Sequence, residues 1–185
     1  MPFDVNITST RTYDYSNNNN DVDYFTNGAS PDTSFWNNSG IIGGAVYFNA
    51  GHFLESATYN NALNISNNYT IMLWVNVLNN TVNNGIIRFG DPTSGTVAEN
   101  AWQLRFAGTA TLAFDHGNIT KSNTTSTVAL TTNKWYFIAV TVNDTKIALY
   151  VNASSKATTP HTITAISPDT YRFMIGARAR TSNFY

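Results

Sequence analysis

The sequence predicts an all-β fold, a jelly-roll sandwich of two antiparallel sheets, and three observations support it. Apolar and polar residues alternate over about ten short segments, which is the period of a half-buried strand. Short turn-forming sequences such as Asn-Asn, Gly-Asp-Pro and His-Gly-Asn separate these segments at intervals of about 8–12 residues. No window of the sequence shows the sustained three- and four-residue apolar spacing of a capped helix.

The first predicted strands lie in the N-terminal half. Residues 45–48 (AVYF) and His52–Ser56 (HFLES) flank Asn-Ala-Gly, which predicts two short strands around a turn. Residues 70–78 (TIMLWVNVL) are apolar on both faces, which predicts a strand buried on both sides. Residues 85–89, 102–106 and 111–114 follow as strands, and residues 61–68 are compatible with one helical turn.

The clearest element is a hairpin in residues 133–152, NKWYFIAVTVNDTKIALYVN. Its strands are Trp135–Val142 and Lys146–Val151, and the intervening Asn-Asp pair tolerates the left-handed backbone of a tight turn. Seven of the eight residues in the first strand are apolar, so we expect a central strand covered on both sides. By the same reasoning Trp74 and Trp135 are expected in the core. Residues 162–166 and 171–175 complete the predicted strands.

The composition excludes several classes of function. The chain has 185 residues, enough for one domain, and a formal net charge of -1 from 10 basic and 11 acidic residues, so neither nucleic acid nor an anionic membrane is an expected partner. Only 11% of residues are charged, and 26 Asn and 26 Thr make the surface polar but neutral. The absence of Cys excludes disulfides, thiolate metal sites and a Cys nucleophile.

No segment of the sequence is predicted to cross or enter a membrane. There is no apolar run near the roughly 18 residues that a spanning helix needs. The first ten residues, MPFDVNITST, lack a basic region followed by an apolar one. We therefore expect a leader already removed, a piece of a longer protein, or another export route such as virion assembly.

Asn-x-Ser/Thr sequons occur nine times, a mild excess over what this composition gives by chance. Two interpretations stay open: glycosylation of several sites in an exported protein, or Asn and Thr richness alone. The sequons begin at Asn6, Asn37, Asn64, Asn68, Asn79, Asn118, Asn123, Asn143 and Asn152.

Five short motifs, in order, resemble the laminin-G-like domains of the concanavalin A-like lectin/glucanase superfamily. They are YDYSNNNND at 13–21, IGGAVYF with NAGHFLE at 42–55, YTIMLWVNV at 69–77, the 133–152 hairpin and YRFMIGA at 171–177. The resemblance implies one laminin-G-like jelly-roll domain over residues 1–185. It also implies that the family's usual last strand is missing from this chain. We expect either truncation or an atypical closing segment, or a strand supplied by a neighbouring copy through an open sheet edge.

No catalytic constellation is evident, so we predict that the chain is not an enzyme. Sugar hydrolysis needs two nearby carboxyl groups, yet the only two Glu, Glu55 and Glu99, have no acidic residue two positions away. The three His are scattered without metal-ligand spacing. His116, in the turn-like AFDHGN, is expected to be solvated.

Calcium is the predicted metal, in the Asn-rich loop at residues 13–21. Hard cations take carboxylate, amide and carbonyl oxygens, and laminin-G-like domains often hold one calcium ion. The alternative is a polar loop without metal. The candidate ligands are Asp14, Asn18, Asn20 and Asp21.

Glycan contact would use exposed aromatic faces beside amides. Trp36 in SFWNNSG is the first candidate, Trp102 and Tyr59 are weaker, and packing within the loop is the alternative role of Trp36. Arg178 and Arg180 share a face if extended and are candidates for an acidic or sulfated polysaccharide, or guard an edge strand with charge.

These features give two functional hypotheses. The first is a non-catalytic recognition or adhesion module that binds a glycan or glycoprotein outside the cell or at a cell or virion surface. The alternative is a structural subunit of a virion, fibre or cell-surface filament.

Overall fold

The computed structural model describes residues 11–16, 18, 20–26, 36–48, 51–56, 68–78, 85–90, 100–108, 111–117, 122–161, 171–179 and 182–184. These residues form sixteen strands and no helix. The strands are β1 (Arg11–Thr12), β2 (Val22–Thr26), β3 (Trp36–Asn37), β4 (Ala45–Val46), β5 (His52–Ser56), β6 (Tyr69–Asn76), β7 (Gly85–Gly90), β8 (Asn100–Gly108), β9 (Thr111–His116), β10 (Ser122–Ala129), β11 (Trp135–Val142), β12 (Lys146–Val151), β13 (Ser154–Pro160), β14 (Arg172–Ile175), β15 (Ala177–Ala179) and β16 (Ser182–Phe184).

Two antiparallel sheets make up the sandwich, which confirms the predicted fold class. The larger sheet has eight strands in the order β1-β2-β5-β14-β7-β8-β9-β10, and the smaller has four in the order β13-β12-β11-β6. Two small hairpins, β3–β4 and β15–β16, form separate two-stranded sheets. In the larger sheet β14 lies between β5 and β7, which precede it in sequence by more than eighty residues. The sheet therefore forms only when distant parts of the chain pair.

The main core lies between the sheets and follows the period of two. Ile138, Val140 and Val142 of β11 face inward, as do the alternate residues of β12. They meet Leu104 and Phe114 of the larger sheet, and all five side chains are at most 2% exposed. Each such side chain contributes roughly 1.5–3 kcal/mol when it leaves water, so these alternating positions specify the register of both sheets.

The predicted hairpin is confirmed with the bounds expected for β11 and β12. The side chain of Asn143 closes its turn, because Oδ1 accepts hydrogen bonds from the backbone N of Thr145 (3.0 Å) and of Lys146 (2.9 Å). This is the local side-chain to backbone bonding that favours Asn in turns.

A second, smaller core lies under the β3–β4 hairpin. Val46 and Phe48 pack against Val22, Tyr24 and Leu54 of the larger sheet. The hairpin therefore covers the part of the larger sheet formed by β2 and β5.

In the β3–β4 hairpin the backbone at Gly44 lies directly against the ring of Trp36. A Cβ at Gly44 would meet the indole of Trp36. Only glycine leaves room for that ring.

Two expectations about strands are corrected. Strand β6 is not buried on both sides, because Met72 is 65% and Trp74 is 46% exposed. The expected core positions of Trp74 and Trp135 are therefore wrong, since Trp135 is half-buried on the same side as Trp74, opposite Asn76. Only the face with Ile71 and Leu73 packs into the core. The strands β1, β2, β3, β10, β13, β15 and β16 were not predicted, and residues 61–67 and 162–166 lie outside the described residues.

Candidate functional site

The face of the four-stranded sheet that points away from the core carries aromatic and polar residues. In β6 and β11 these residues alternate with the core positions, and the register sets Trp74 opposite Phe137 and Asn76 opposite Trp135. We call this surface the outer face. It comprises Thr70, Met72, Trp74 and Asn76 of β6, Trp135, Phe137 and Thr141 of β11, and Tyr150 of β12. Ala139 and Ala148 are on the same side of the sheet but are buried.

Trp74 is the most accessible aromatic ring of this face, at 46% exposure. The ring of Phe137 lies beside it, with centroids 5.4 Å apart and planes inclined by 52°. Trp74, Trp135, Phe137, Asn152 and Ala153 line a shallow depression here. Because these aromatic residues stand on paired strands, their positions are fixed before any ligand arrives.

Asn152 holds an amide group at the edge of the rings. Its Oδ1 accepts a hydrogen bond from the backbone N of Phe137 (3.0 Å), and its own backbone N donates to the carbonyl O of Phe137 (2.8 Å). Asn152 and Ala153 both have positive φ, 49° and 62°, which is the backbone of a tight turn between β12 and β13.

A cleft of about 700 Å³ runs along the edge of β6, between that strand and the β3–β4 hairpin. Ile86, Ile87, Phe173 and Ile175 contribute apolar side chains from the larger sheet. Its exposed apolar side chains are Ile41, Ile42, Tyr47, Met72, Trp74 and Leu78. Among the described strands β6 pairs only with β11, so its other edge borders this cleft. Trp74 therefore belongs to both the outer face and the cleft.

The aromatic residues singled out from the sequence lie elsewhere. Trp36 is half-buried in β3 against Gly44, and Trp102 is 4% exposed in the main core beside Phe89 and Tyr69. Tyr59 and Arg180 lie outside the described residues. The backbone of Arg178 is in β15, and its side chain is not described.

The Asn-rich loop uses its carboxylate oxygens internally. Asp14 accepts hydrogen bonds from the N and Oγ of Ser16 (2.8 and 2.7 Å) and from the N of Asn20 (3.1 Å). Asp21 Oδ1 accepts from the N of Asp14, and Asn18 donates to Ser16 Oγ. Burial raises the pKa of Asp14, but the bonds from Ser16 and Asn20 outweigh it and lower the pKa overall. These bonds arrange the described part of the loop around the Asp14 carboxylate, and a calcium ion there would compete with their donors.

The sequons fall into two groups. Asn37, Asn68 and Asn152 are exposed and Asn143 is half-buried, and each of their side chains makes a hydrogen bond within the protein. Asn6, Asn64, Asn79 and Asn118 lie outside the described residues, as does the side chain of Asn123.

The carboxylates of the larger sheet are engaged in ion pairs. Asp23 and Glu55 are cross-strand partners in β2 and β5. Asp23 contacts Arg11 at 2.6 Å, and Glu55 contacts Arg172 at 2.7 Å. A glycosidase needs one such carboxyl group as a proton donor and its neighbour as a base or nucleophile. In this chain each of the two carboxylates forms an ion pair with an arginine side chain instead.

His116 is not solvated as expected. It is 1% exposed, because β9 extends to it and turns its ring toward the core opposite Trp102. Its ring stacks on that of His161, with centroids 4.8 Å apart. No spacing in the sequence signals this pair, since His116 ends β9 of the larger sheet and His161 follows β13 of the smaller one.

Sequence reasoning missed the outer face, although a signal for it was present. Thr70 and Asn76 share the strand face of Trp74, and polar residues at both ends of a face indicate that the face is solvated. In β11 the sequence shows no alternation of apolar and polar residues, because Trp135 and Phe137 are apolar although they lie on the outer face.

The two stacked antiparallel sheets and the crossing strand order of the larger one place the chain in the class of lectin-like jelly-roll sandwiches. The chain belongs to the Laminin_G_3 family of the concanavalin A-like lectin/glucanases superfamily, whose model matches residues 48–185. No curated protein sequence matches the chain.

Two solved structures show the same fold. Domain 4 of AbnA, a GH43 extracellular arabinanase from Geobacillus stearothermophilus in complex with arabinotriose, is 18% identical, with a TM-score of 0.66 over 95% of this chain and 86% of that one. A crystal structure of an HCR/D mutant is 17% identical, with a TM-score of 0.62 over 94% of this chain and 42% of that one. In the part of the chain that is described, no helix could span a bilayer.

Proposed function

We propose that the chain is a non-catalytic recognition module that binds a glycan, free or on a glycoprotein, at the outer face around Trp74. The observation that carries the proposal is the 46% exposed indole of Trp74, held on a paired strand beside Phe137. A large aromatic ring exposed on a rigid strand has no role in the core.

The chemistry of the outer face suits a neutral sugar. Sugar rings present C–H groups that pack on aromatic faces, and their hydroxyl groups pair with amides and hydroxyls. Asn76 and Asn152 lie at the edge of the rings, and Thr70, Thr141 and Tyr150 add hydroxyl groups on the same side of the sheet. With only 11% charged residues in the chain, an uncharged oligosaccharide fits better than a sulfated one.

The fold comparison supports a short neutral oligosaccharide as the first probe. Domain 4 of AbnA is described in complex with arabinotriose. At 18% identity this likeness extends to the fold, so the position of the site here rests on Trp74 and its neighbours. A place outside the cell or at a cell or virion surface follows from the proposal, and calcium in the Asp14 loop remains a prediction.

Substitution of Trp74 tests the proposal. We expect Trp74→Ala to weaken binding of the best ligand from a neutral oligosaccharide panel, arabinotriose included, by about tenfold or more, because stacking on one aromatic ring contributes roughly 0.5–1.5 kcal/mol beyond its buried area. Isothermal titration calorimetry measures the change. Tyr13→Ala is the matched control, since Tyr13 is 49% exposed and lies outside the outer face.

Stability must be measured on the same samples. Trp74 is only half-buried, so both variants should unfold within a few degrees of the parent chain. If Trp74→Ala and Tyr13→Ala bind equally well, the outer face is not the site. A panel without any bound glycan would reject the function itself.

A structural role in a virion, fibre or filament is the second candidate, and the cleft favours it. The described edge of β6 borders an apolar cleft in which Ile42 is 74% and Met72 is 65% exposed. A strand from a neighbouring copy could pair there and cover these side chains. Multi-angle light scattering after size-exclusion chromatography tests this role, and a monomer at every concentration would count against it.

A further inference from the structure

Two histidines meet inside the sandwich, one from each main sheet. His116 ends β9 of the larger sheet, and His161 follows β13 of the smaller sheet. Their imidazole rings stack with centroids 4.8 Å apart and planes inclined by 28°. His116 is 1% and His161 is 6% exposed. Neither residue belongs to the outer face, so the proposed glycan site does not account for this contact.

Aromatic rings surround His116. The Tyr69 ring of β6 meets the imidazole edge-on at 5.7 Å, and the Phe114 ring of β9 lies 6.4 Å from it, both measured between centroids. Trp102 is its cross-strand partner in β8. Within the described part of the chain, neither ring nitrogen of His116 has a hydrogen-bond partner. An added proton on this ring would therefore meet no described acceptor.

The charged residues close to the pair in sequence do not offset such a proton. Asp115 is on the opposite face of β9, where its carboxylate accepts a hydrogen bond from Arg105 Nε at 2.7 Å. At the β11–β12 turn, which His161 contacts, Asp144 and Lys146 are both exposed. Water screens exposed charges of this kind. The pair is thus a neutral contact between the sheets.

A proton on His161 would meet the same difficulty. Nδ1 of this ring lies 2.7 Å from the carbonyl O of Asn143, and a carbonyl can only accept, so Nδ1 carries the proton of the neutral ring. The second proton of the charged form would go to Nε2, which has no hydrogen-bond partner among the described residues. A buried charge without a partner is costly, and two charged rings in contact would also repel each other.

The pKa of His116 reflects this environment. Burial, and secondarily the charge of His161, lower it from the ordinary 6.5 to about 4, whereas burial raises the pKa of Tyr69 and keeps its hydroxyl uncharged. In the unfolded chain His116 takes up its proton near the ordinary pKa, so acid favours unfolding. The stability gained from the neutral ring is complete above about pH 6.5, decreases as the pH falls below that value and is lost by about pH 4.

We infer that the His116–His161 contact is an acid-sensitive latch between the two sheets. While both rings are neutral, they stack and hold the end of β9 against the end of β13. Protonation of either ring places an uncompensated charge in the aromatic contact, and this end of the sandwich opens. Strand β10 pairs with β9 at His116 and also contacts β13, so the same opening would separate these two edge strands. The latch does not depend on the proposed glycan site.

Urea denaturation at pH 7 and at pH 5 tests the latch. Between these values the titration of His116 should lower the ratio of folded to unfolded chain by about 20-fold. His116→Phe keeps a ring in the stack but cannot take up a proton, so the variant should lack this part of the loss. Because the carboxylates are the same in both chains, the difference between the two pH dependences isolates the histidine. Equal pH dependence in the parent chain and in His116→Phe would overturn the inference.

His52→Gln is the matched control, because it removes the histidine of β5 and leaves the pair intact. This variant should show the pH dependence of the parent chain. If it instead loses as much of that dependence as His116→Phe does, the effect does not belong to the pair and the inference is wrong.

Two measurements on the parent chain decide the question if His116→Phe does not fold. In an NMR titration of the three histidine rings, one ring that is still neutral at pH 5.5 in the folded chain supports the latch. Three rings that all titrate near pH 6.5 reject it. Hydrogen exchange in mild acid locates the opening. Loss of protection that begins at the ends of β9 and β13 supports the latch, and loss that begins elsewhere rejects it.

Discussion

Replacing Arg172 with Met should strongly destabilise the protein, because it removes the cation beside a fully buried carboxylate. Glu55 in β5 is 0% exposed, and its Oε1 accepts a hydrogen bond from Arg172 Nη1 at 2.7 Å. The same Nη1 donates to the carbonyl O of Ser56 at 3.2 Å. The pair joins β5 to β14 in the middle of the eight-stranded sheet.

The size of the effect follows from burial. Breaking a buried ion pair by removing one partner costs about 3–5 kcal/mol, since the remaining buried charge loses a compensating group. A domain of this kind has a free energy of unfolding of roughly 5–15 kcal/mol, so Arg172→Met should consume a large share of it. Replacing both partners, as Arg172→Met with Glu55→Leu, removes both charges of the pair and should recover much of the loss.

Urea denaturation followed by tryptophan fluorescence measures these values, and the chain offers a matched control. Arg11 and Asp23 form an ion pair of similar length, 2.6 Å, but their side chains are 43% and 20% exposed. Arg11→Met should therefore lower the free energy of unfolding by only about 0–1 kcal/mol. Equal losses in Arg11→Met and Arg172→Met would refute the reasoning, as would a double variant no more stable than Arg172→Met alone.

Three further predictions concern stability and are checked by the same denaturation curves. Ala153→Gly should raise the free energy of unfolding by about 0.5–1 kcal/mol, because Ala153 has φ 62° after Asn152, and Asn-Gly is the preferred pair for such a turn; an unchanged or lower value would contradict this. Gly44→Ala should lower it by about 1–3 kcal/mol, since the added methyl group displaces the indole of Trp36; tolerance would mean that the ring can move. Ile138→Ala should lower it by about 2–5 kcal/mol through a cavity in a fully buried position; a loss under 1 kcal/mol would place that side chain outside the core.

The strands that the sequence predicted well are those with a strong apolar face. The β11–β12 hairpin was located to the residue, because its two mainly apolar runs are separated by Asn143, Asp144 and Thr145. Strands β10 and β13 consist mainly of Ser, Thr and Ala and show no such contrast. They are strands because they pair with β9 and β12, and a pairing partner is a long-range property that local pattern does not contain.

The buried histidine pair could not be predicted for a related reason. His116 and His161 are forty-five positions apart; His116 ends β9 of the larger sheet, and His161 follows β13 of the smaller one. Their contact depends on how the sheets stack. Asp115 and Gly117, which flank His116, read locally as turn residues, yet β9 runs through His116 while it pairs with β8 and β10.

The prediction that Trp74 is buried was wrong for a different reason, and that reason bears on function. An apolar residue on a strand lowers the free energy of folding only where another layer covers it. The four-stranded sheet has its core on one side, and Trp74 stands on the other at 46% exposure. Stability alone does not explain a tryptophan there, and the glycan proposed above would pack on it. Because paired strands hold the ring in place, binding would require little ordering of the protein, and loss of the ring should act mainly on the dissociation rate.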